Sequence, residues 1–155
     1  TEIKNSEKYT ILIADQSNVN DLNNLKKSLT DKNVFFINDD GSHIPEHQLL
    51  TFNTLFPIVA EGGFYIIEDI ETSYWTRGEC YVYETNYGYK HPNSMIEIFK
   101  EAADIINREF IVDKTRLSNK ILHYDNIESI TFARNCIIVK KNYNATRDYR
   151  FKIFI

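Results

Sequence analysis

The residues able to do chemistry fall into two short blocks, Asn38-Asp39-Asp40-Gly41-Ser42-His43 and Glu68-Asp69. Each block closes an apolar run, Val34-Phe35-Phe36-Ile37 before the first and Phe64-Tyr65-Ile66-Ile67 before the second. If these runs are neighbouring parallel strands, their ends lie about 4.8 Å apart, and Asp40, Glu68 and Asp69 meet at one sheet edge. Carboxylates that close cannot all stay ionised without a counter-charge. A hard divalent cation such as Mg2+ removes the conflict, because it takes one or two carboxylates and keeps positions open for water or substrate oxygens. A hydroxyl drawn onto such an ion becomes more acidic. His43, on a glycine-containing turn just beyond Asp40, is placed to take its proton, since an unperturbed imidazole titrates at about 6.5. The competing reading has Asp39, Asp40 and His43 capping the next helix while Glu68 and Asp69 meet basic side chains. Chemistry alone thus reaches a divalent-metal site at a strand edge.

The elements that must carry these blocks follow from periodicity. Tyr9 to Ala14 is a continuous apolar run ending at Asp15-Gln16-Ser17, which predicts a strand covered on both faces. Ser17 or Asn18 can cap a following helix with Val19, Leu22, Leu25 and Leu29 at helical spacing and Lys26-Lys27 near its end. After the buried strand at Val34 to Ile37, Gly41 gives a permissive turn, Ser42 is a cap and Pro45 suits the first helical turn. The helix presents Leu49, Leu50, Phe52, Leu55, Phe56 and Val59, is stopped by Glu61-Gly62-Gly63, and gives way to a third buried strand at Phe64 to Ile67. From residue 70 to 93 regular periodicity is lost, as in a functional loop. A helix with Met95, Ile98, Phe99, Ala102, Ile105 and Ile106 inward comes next. Two extended runs about a turn at Arg134-Asn135 then form a hairpin, and an alternating tail over residues 149–155 could add an edge strand. The pattern is α/β, with parallel strands and an antiparallel end, in one domain over residues 1–155. In open sheets of this kind ligands bind beyond the carboxyl ends of the strands, where Asp15, Asp39-Asp40 and Glu68-Asp69 all lie.

Bulk properties exclude several classes. A formal charge of −4 gives no basic footprint for nucleic acid. No run approaches the roughly 18 apolar residues of a membrane span and no signal peptide opens the sequence. Cys80 and Cys136 are far apart, with no C-x-x-C spacing, so a reduced, cytoplasmic protein is expected.

The blocks I-N-D-D-G-S-H-I-P-E-H-Q, F-P-I-V-A-E-G-G and F-Y-I-I-E-D-I-E-T-S-Y-W resemble the metal-dependent sugar O-methyltransferases of the mycinamicin and macrocin type, including relatives in bacterial and large-virus polysaccharide pathways. The resemblance runs from residue 11 to about residue 140. It implies a Rossmann-like class I methyltransferase sheet, S-adenosylmethionine as methyl donor, and Mg2+ chelating vicinal hydroxyls of a sugar or glycan acceptor. By position, it makes Asp40, Glu68 and Asp69 metal ligands and His43 the base. Asp15 would lie against the cofactor's adenine with Gln16 beside it, Asp39 close to cofactor or metal, and Tyr74 and Trp75 beside the acceptor pocket.

The sequence departs from that family in one respect. Gly41 is the earliest of only five glycines, so the glycine-rich cofactor turn is absent. In the family's strand order, 3-2-1-4-5-7-6, the first two strands are then missing. The strand at Ile11 would be separated from that at Phe35 by three spacings, about 14 Å. An N-terminal segment, a re-pairing of the first strand, or a second chain of a homo-oligomer would have to complete the sheet. Two other functional classes stay open: a non-catalytic metal- or saccharide-binding remnant of the fold, and a Mg2+-dependent hydrolase using the same carboxylates.

Overall fold

The computed structural model describes residues 9–77, 84–117 and 119–143. The lead-in before Tyr9, the aromatic stretch 78–83 with Cys80, and the alternating tail 149–155 lie outside the described residues.

Helix α1 (Val19–Leu29) begins where Asn18 accepts hydrogen bonds from the backbone N–H of Asn20 and Asp21. Lys26 and Lys27 sit in its last turn, where a helix favours cations. Strand β1 (Val34–Asp39) leads through the Asp40–His43 turn into α2 (Pro45–Leu55), which has proline in its first turn. One 3-10 turn (Phe56–Ile58) joins α2 to β2 (Val59–Glu68), and another (Ile70–Ser73) leaves it. Helix α3 (Met95–Ile106) and the hairpin of β3 (Ile127–Ala133) and β4 (Cys136–Lys141) complete the unit.

The four strands form one mixed sheet in the order β1-β2-β4-β3. β1 and β2 are parallel, with Asp39 opposite Ile67, and β4 runs antiparallel to both β2 and β3. This is the 4-5-7-6 half of the order that the resemblance implies. It puts the carboxyl ends of β1 and β2 beside the β3–β4 turn, since Glu68 is opposite Cys136.

The core forms where α2 and α3 pack on one face of β2 and β4. Phe52 is wholly buried, stacked on Phe56 at 4.8 Å and edge-on to both Tyr65 and Phe99 at 5.1 Å. The face of α2 that is buried includes Gln48 and Thr51, while Leu49 and Leu50 are only half-buried.

Three sequence expectations are corrected. Residues 10–14 are not part of the sheet, and Ile13 is 99% exposed. An apolar run becomes a strand only where neighbouring strands take up its backbone groups, and among the described residues the sheet ends at β1. For the same reason β1 is not a buried strand: Phe35 and Phe36 are more than half exposed, and only its end is inside. Third, Gly62-Gly63 do not stop the helix, because β2 already begins at Val59. They form an irregularity in which Val34 faces Val59 but Phe36 faces Phe64. Gly62 has φ 71°, and a Cβ on Gly63 would lie 2.5 Å from the Phe35 carbonyl oxygen. Among the described residues, no helix is long and apolar enough to cross a membrane.

Candidate active site

The Asp40–His43 turn is held from beneath by Asp39. This carboxylate is 4% exposed; its Oδ2 accepts from the Tyr65 hydroxyl at 2.9 Å and its Oδ1 from Gln16 Nε2 at 2.6 Å. Burial raises the Asp39 carboxyl above its ordinary value of 3.8, against the pull of these two hydrogen bonds. Burial, and then the adjoining Asp39, raises the Tyr65 phenol well above 10.0. The other end of the Gln16 amide accepts from the Ser42 N–H at 2.7 Å. One side chain therefore ties the residue 15–17 segment to both ends of the turn bearing Asp40.

Gly41 has a different role from the one expected. The residue of this turn that takes the left-handed conformation is His43, at φ 58°. Gly41 instead leaves room for Gln16, since a Cβ there would lie 2.4 Å from Gln16 Oε1. Gly41→Ala should thus push the Gln16 amide off Asp39 and the Ser42 N–H, costing about 0.5–1.5 kcal/mol for each hydrogen bond lost, and markedly less in a Gln16→Ala background. Urea denaturation of the two single variants and the double variant measures that coupling. Additive losses would mean that the Gln16 contact is not what excludes a side chain.

Tyr65→Phe should cost about 1–3 kcal/mol at neutral pH by leaving a buried carboxylate oxygen unpaired. The sign with pH follows from the raised pKa. Just above pH 3.8 the folded chain keeps the Asp39 proton while the unfolded chain has released it, so this group's contribution weakens as pH rises through that window. Removing a bond that favours the charged form pushes the window further up. The penalty should therefore shrink on acidification into the carboxylate range. An equal loss at both pH values would assign the effect to packing and not to Asp39.

Beyond the turn, donor atoms of Asp40, His43 and Asp69 all lie within 4.8 Å of one another. His43 Nε2 is 3.9 Å from Asp40 Oδ1 and 3.6 Å from Asp69 Oδ2. The imidazole is mostly covered and its Nδ1 is buried without a hydrogen-bond partner, whereas both carboxylates are open to solvent. Both His43 and Asp69 are left-handed, at φ 58° and 51°. Such backbone costs about 1–3 kcal/mol per residue and gathers at functional sites.

The remaining expected residues are placed unequally. Glu68 ends β2, accepts from Gln48 Nε2 through its backbone carbonyl at 2.9 Å, and is not in the donor group with Asp69. Gln16, Asp39 and Asp40 line one cleft of about 330 Å3, together with Ala14, Leu25 and Ile37. Asp15 is turned elsewhere: its Oδ1 accepts from the Ser17 N–H and hydroxyl, which hold the carboxyl below 3.8. Ser42 does not cap α2 by its side chain; its hydroxyl meets His47 Nδ1 at 2.9 Å. Tyr74 is half exposed and stacks on Tyr89, and the Trp75 carbonyl accepts from the Thr85 hydroxyl.

Sequence reasoning missed Tyr65, Gln48 and Asn135. Tyr65 was legible only as strand apolarity, and Gln48 as one polar residue on an apolar helix. Asn135 was legible only as a turn former, although its Nδ2 donates to Asp69 Oδ1 at 2.8 Å.

The fold is that of part of a methyltransferase. The MycE methyltransferase of the mycinamycin biosynthetic pathway, in complex with Mg and SAH, superposes with a TM-score of 0.67 at 25% identity, covering 92% of this chain and 36% of MycE. The homologues of the chain are sugar O-methyltransferases. It is 42% identical over 64 residues to the 8-demethyl-8-alpha-L-rhamnosyl tetracenomycin-C 2'-O-methyltransferase of Streptomyces olivaceus, a match spanning 41% of this chain and 16% of that one. It is 60% identical over 37 residues to the demethylmacrocin O-methyltransferase of Streptomyces fradiae, spanning 24% and 9%. The matches thus span a minor part of each relative's length. No family model matches the chain.

Proposed function

We propose that this chain carries the metal-and-base half of an S-adenosylmethionine-dependent sugar O-methyltransferase. The observation that supports this most is the convergence of Asp40, His43 and Asp69 at the carboxyl ends of β1 and β2, in a fold shared with a methyltransferase that binds Mg and SAH.

The residues fit Mg2+: two exposed carboxylates face one another across a histidine, and among the described residues no lysine or arginine forms an ion pair with either. Asp40 and Asp69 would hold the ion; the assignment of Glu68 as a third ligand rests on the sequence resemblance. When bound, the ion would supply Lewis acidity toward a hydroxyl of the acceptor sugar. His43 Nε2 takes the hydroxyl proton, and the two carboxylates hold the resulting imidazolium in place. S-adenosylmethionine, when bound, would supply the methyl group to the freed oxygen and would leave as the neutral thioether. Tyr74 and Trp75 would flank the acceptor.

The cofactor fits only in part. Gln16 and Asp39 line the cleft beside Asp40, but the first glycine of the sequence is Gly41. The glycine-rich portion of the cradle would come from a segment outside these 155 residues. A cytoplasmic enzyme acting on a glycan or glycosylated natural product, and not on nucleic acid or membrane, completes the proposal.

Methyl transfer from labelled S-adenosylmethionine to glycosylated acceptors, with and without Mg2+, tests it on the complete protein. Metal-dependent label in the sugar is the expected result. Mg2+ binding without binding of the donor would instead favour a non-catalytic metal- or saccharide-binding remnant. Metal-dependent hydrolysis without methyl transfer would favour the hydrolase.

A further inference from the structure

The turn of the β3–β4 hairpin lies against the loop that carries Asp69. Asn135, itself left-handed at φ 58°, makes three contacts with the start of the loop after β2. Its Nδ2 donates to Asp69 Oδ1 at 2.8 Å, its Oδ1 accepts from the Glu71 N–H at 2.9 Å, and its backbone carbonyl accepts from the Ile70 N–H at 3.4 Å. The residue before this loop, Glu68, is opposite Cys136, the first residue of β4, so the sheet register itself brings turn and loop together.

These contacts divide the two oxygens of Asp69. Oδ1 is occupied by the Asn135 amide, and Oδ2 is the atom that faces His43 Nε2. A left-handed aspartate at a strand end has freedom to rotate about its side-chain bonds, and an exposed one loses entropy when it is fixed. A donor on one oxygen, on an amide whose other end is fastened to the Glu71 backbone, removes that freedom before a ligand arrives. Groups that orient metal-binding side chains in this way typically change metal affinity by about 10–100-fold when lost.

We infer that Asn135 is a positioning residue for the metal site: by holding Asp69 Oδ1 and the Glu71 backbone together, it presents Asp69 Oδ2 to a divalent cation. The inference rests on the proposed metal role of Asp40 and Asp69. It assigns to the C-terminal hairpin a part in the site that the two acidic blocks alone do not suggest.

Asn135→Gly keeps a residue tolerant of the left-handed backbone while removing both side-chain hydrogen bonds. Mn2+ binding, followed by electron paramagnetic resonance of the free ion, should weaken by about tenfold or more in this variant, with circular dichroism and metal-free melting close to those of the parent. Arg134→Ala changes the neighbouring turn residue but leaves the amide, and should bind Mn2+ as the parent does. Equal affinity in Asn135→Gly and the parent overturns the inference and leaves the metal reading standing. So does an equal loss in Arg134→Ala, which would assign the effect to the turn and not to the amide. Absence of Mn2+ binding by the parent protein overturns the metal reading and this inference with it.

Discussion

His43→Ala should lower methyl transfer by roughly 10^2–10^4-fold, the range over which a general base contributes, while divalent-metal binding persists. Two features of the site set this expectation. His43 Nε2 is within 4 Å of both an Asp40 and an Asp69 oxygen, so a proton taken there is held by two carboxylates. Mg2+ prefers oxygen ligands over imidazole nitrogen, which makes His43 the member of the trio least suited to hold that ion. The backbone bears on the choice of variant, because a left-handed residue other than glycine or asparagine is strained. His43→Asn tolerates that conformation and should be equally inactive with less loss of stability. Activity assays at saturating Mg2+, paired with Mn2+ titration, separate the two roles. Retained turnover in both variants would remove His43 as the base, and loss of metal affinity along with turnover would make it a ligand instead.

The two acidic blocks were legible because each is local: an apolar run, then carboxylates, then a helix or loop. Their approach needed only the parallel pairing of β1 with β2, which a single helical connection favours, and Asp39 opposite Ile67 gives that pairing. What could not be read were contacts between distant segments. Asn135 reaches Asp69 across 66 residues, and Gln16 reaches Asp39 across 23; neither leaves a period or motif in the sequence. The same distinction accounts for the misread first strand. Residues 9–14 have the apolarity of a buried strand, but strand formation is a property of the partner as well as of the run, and no rule of composition supplies the partner. Gly41 was misassigned on similar grounds. Glycine in a turn suggests positive φ, whereas here the constraint is the Gln16 side chain arriving from another segment.

Asp69→Asn and Asp40→Asn should both abolish stabilisation by Mg2+, which in the parent should reach about 2.7 kcal/mol when free ion is 100 times its dissociation constant. Asparagine is chosen over alanine for Asp69 because that residue is left-handed, a conformation asparagine accepts at small cost. Its amide oxygen can still accept from Asn135, so the loop keeps its fastening and the variant isolates the charge. The metal-free behaviour is as informative as the metal-bound. Without a cation, the Asp40 and Asp69 carboxylates lie within 4.8 Å of one another beside His43; neutralising one should leave the chelated protein as stable as the parent or slightly more so. If these carboxylates instead serve as caps or partners of the fold, neutralising them should destabilise the chelated protein, and the Mg2+ response should be absent from the parent as well. Melting curves with excess chelator and with Mg2+ therefore distinguish a metal centre from a structural cluster by sign. An undiminished Mg2+ shift in both variants would place the ion elsewhere in the protein.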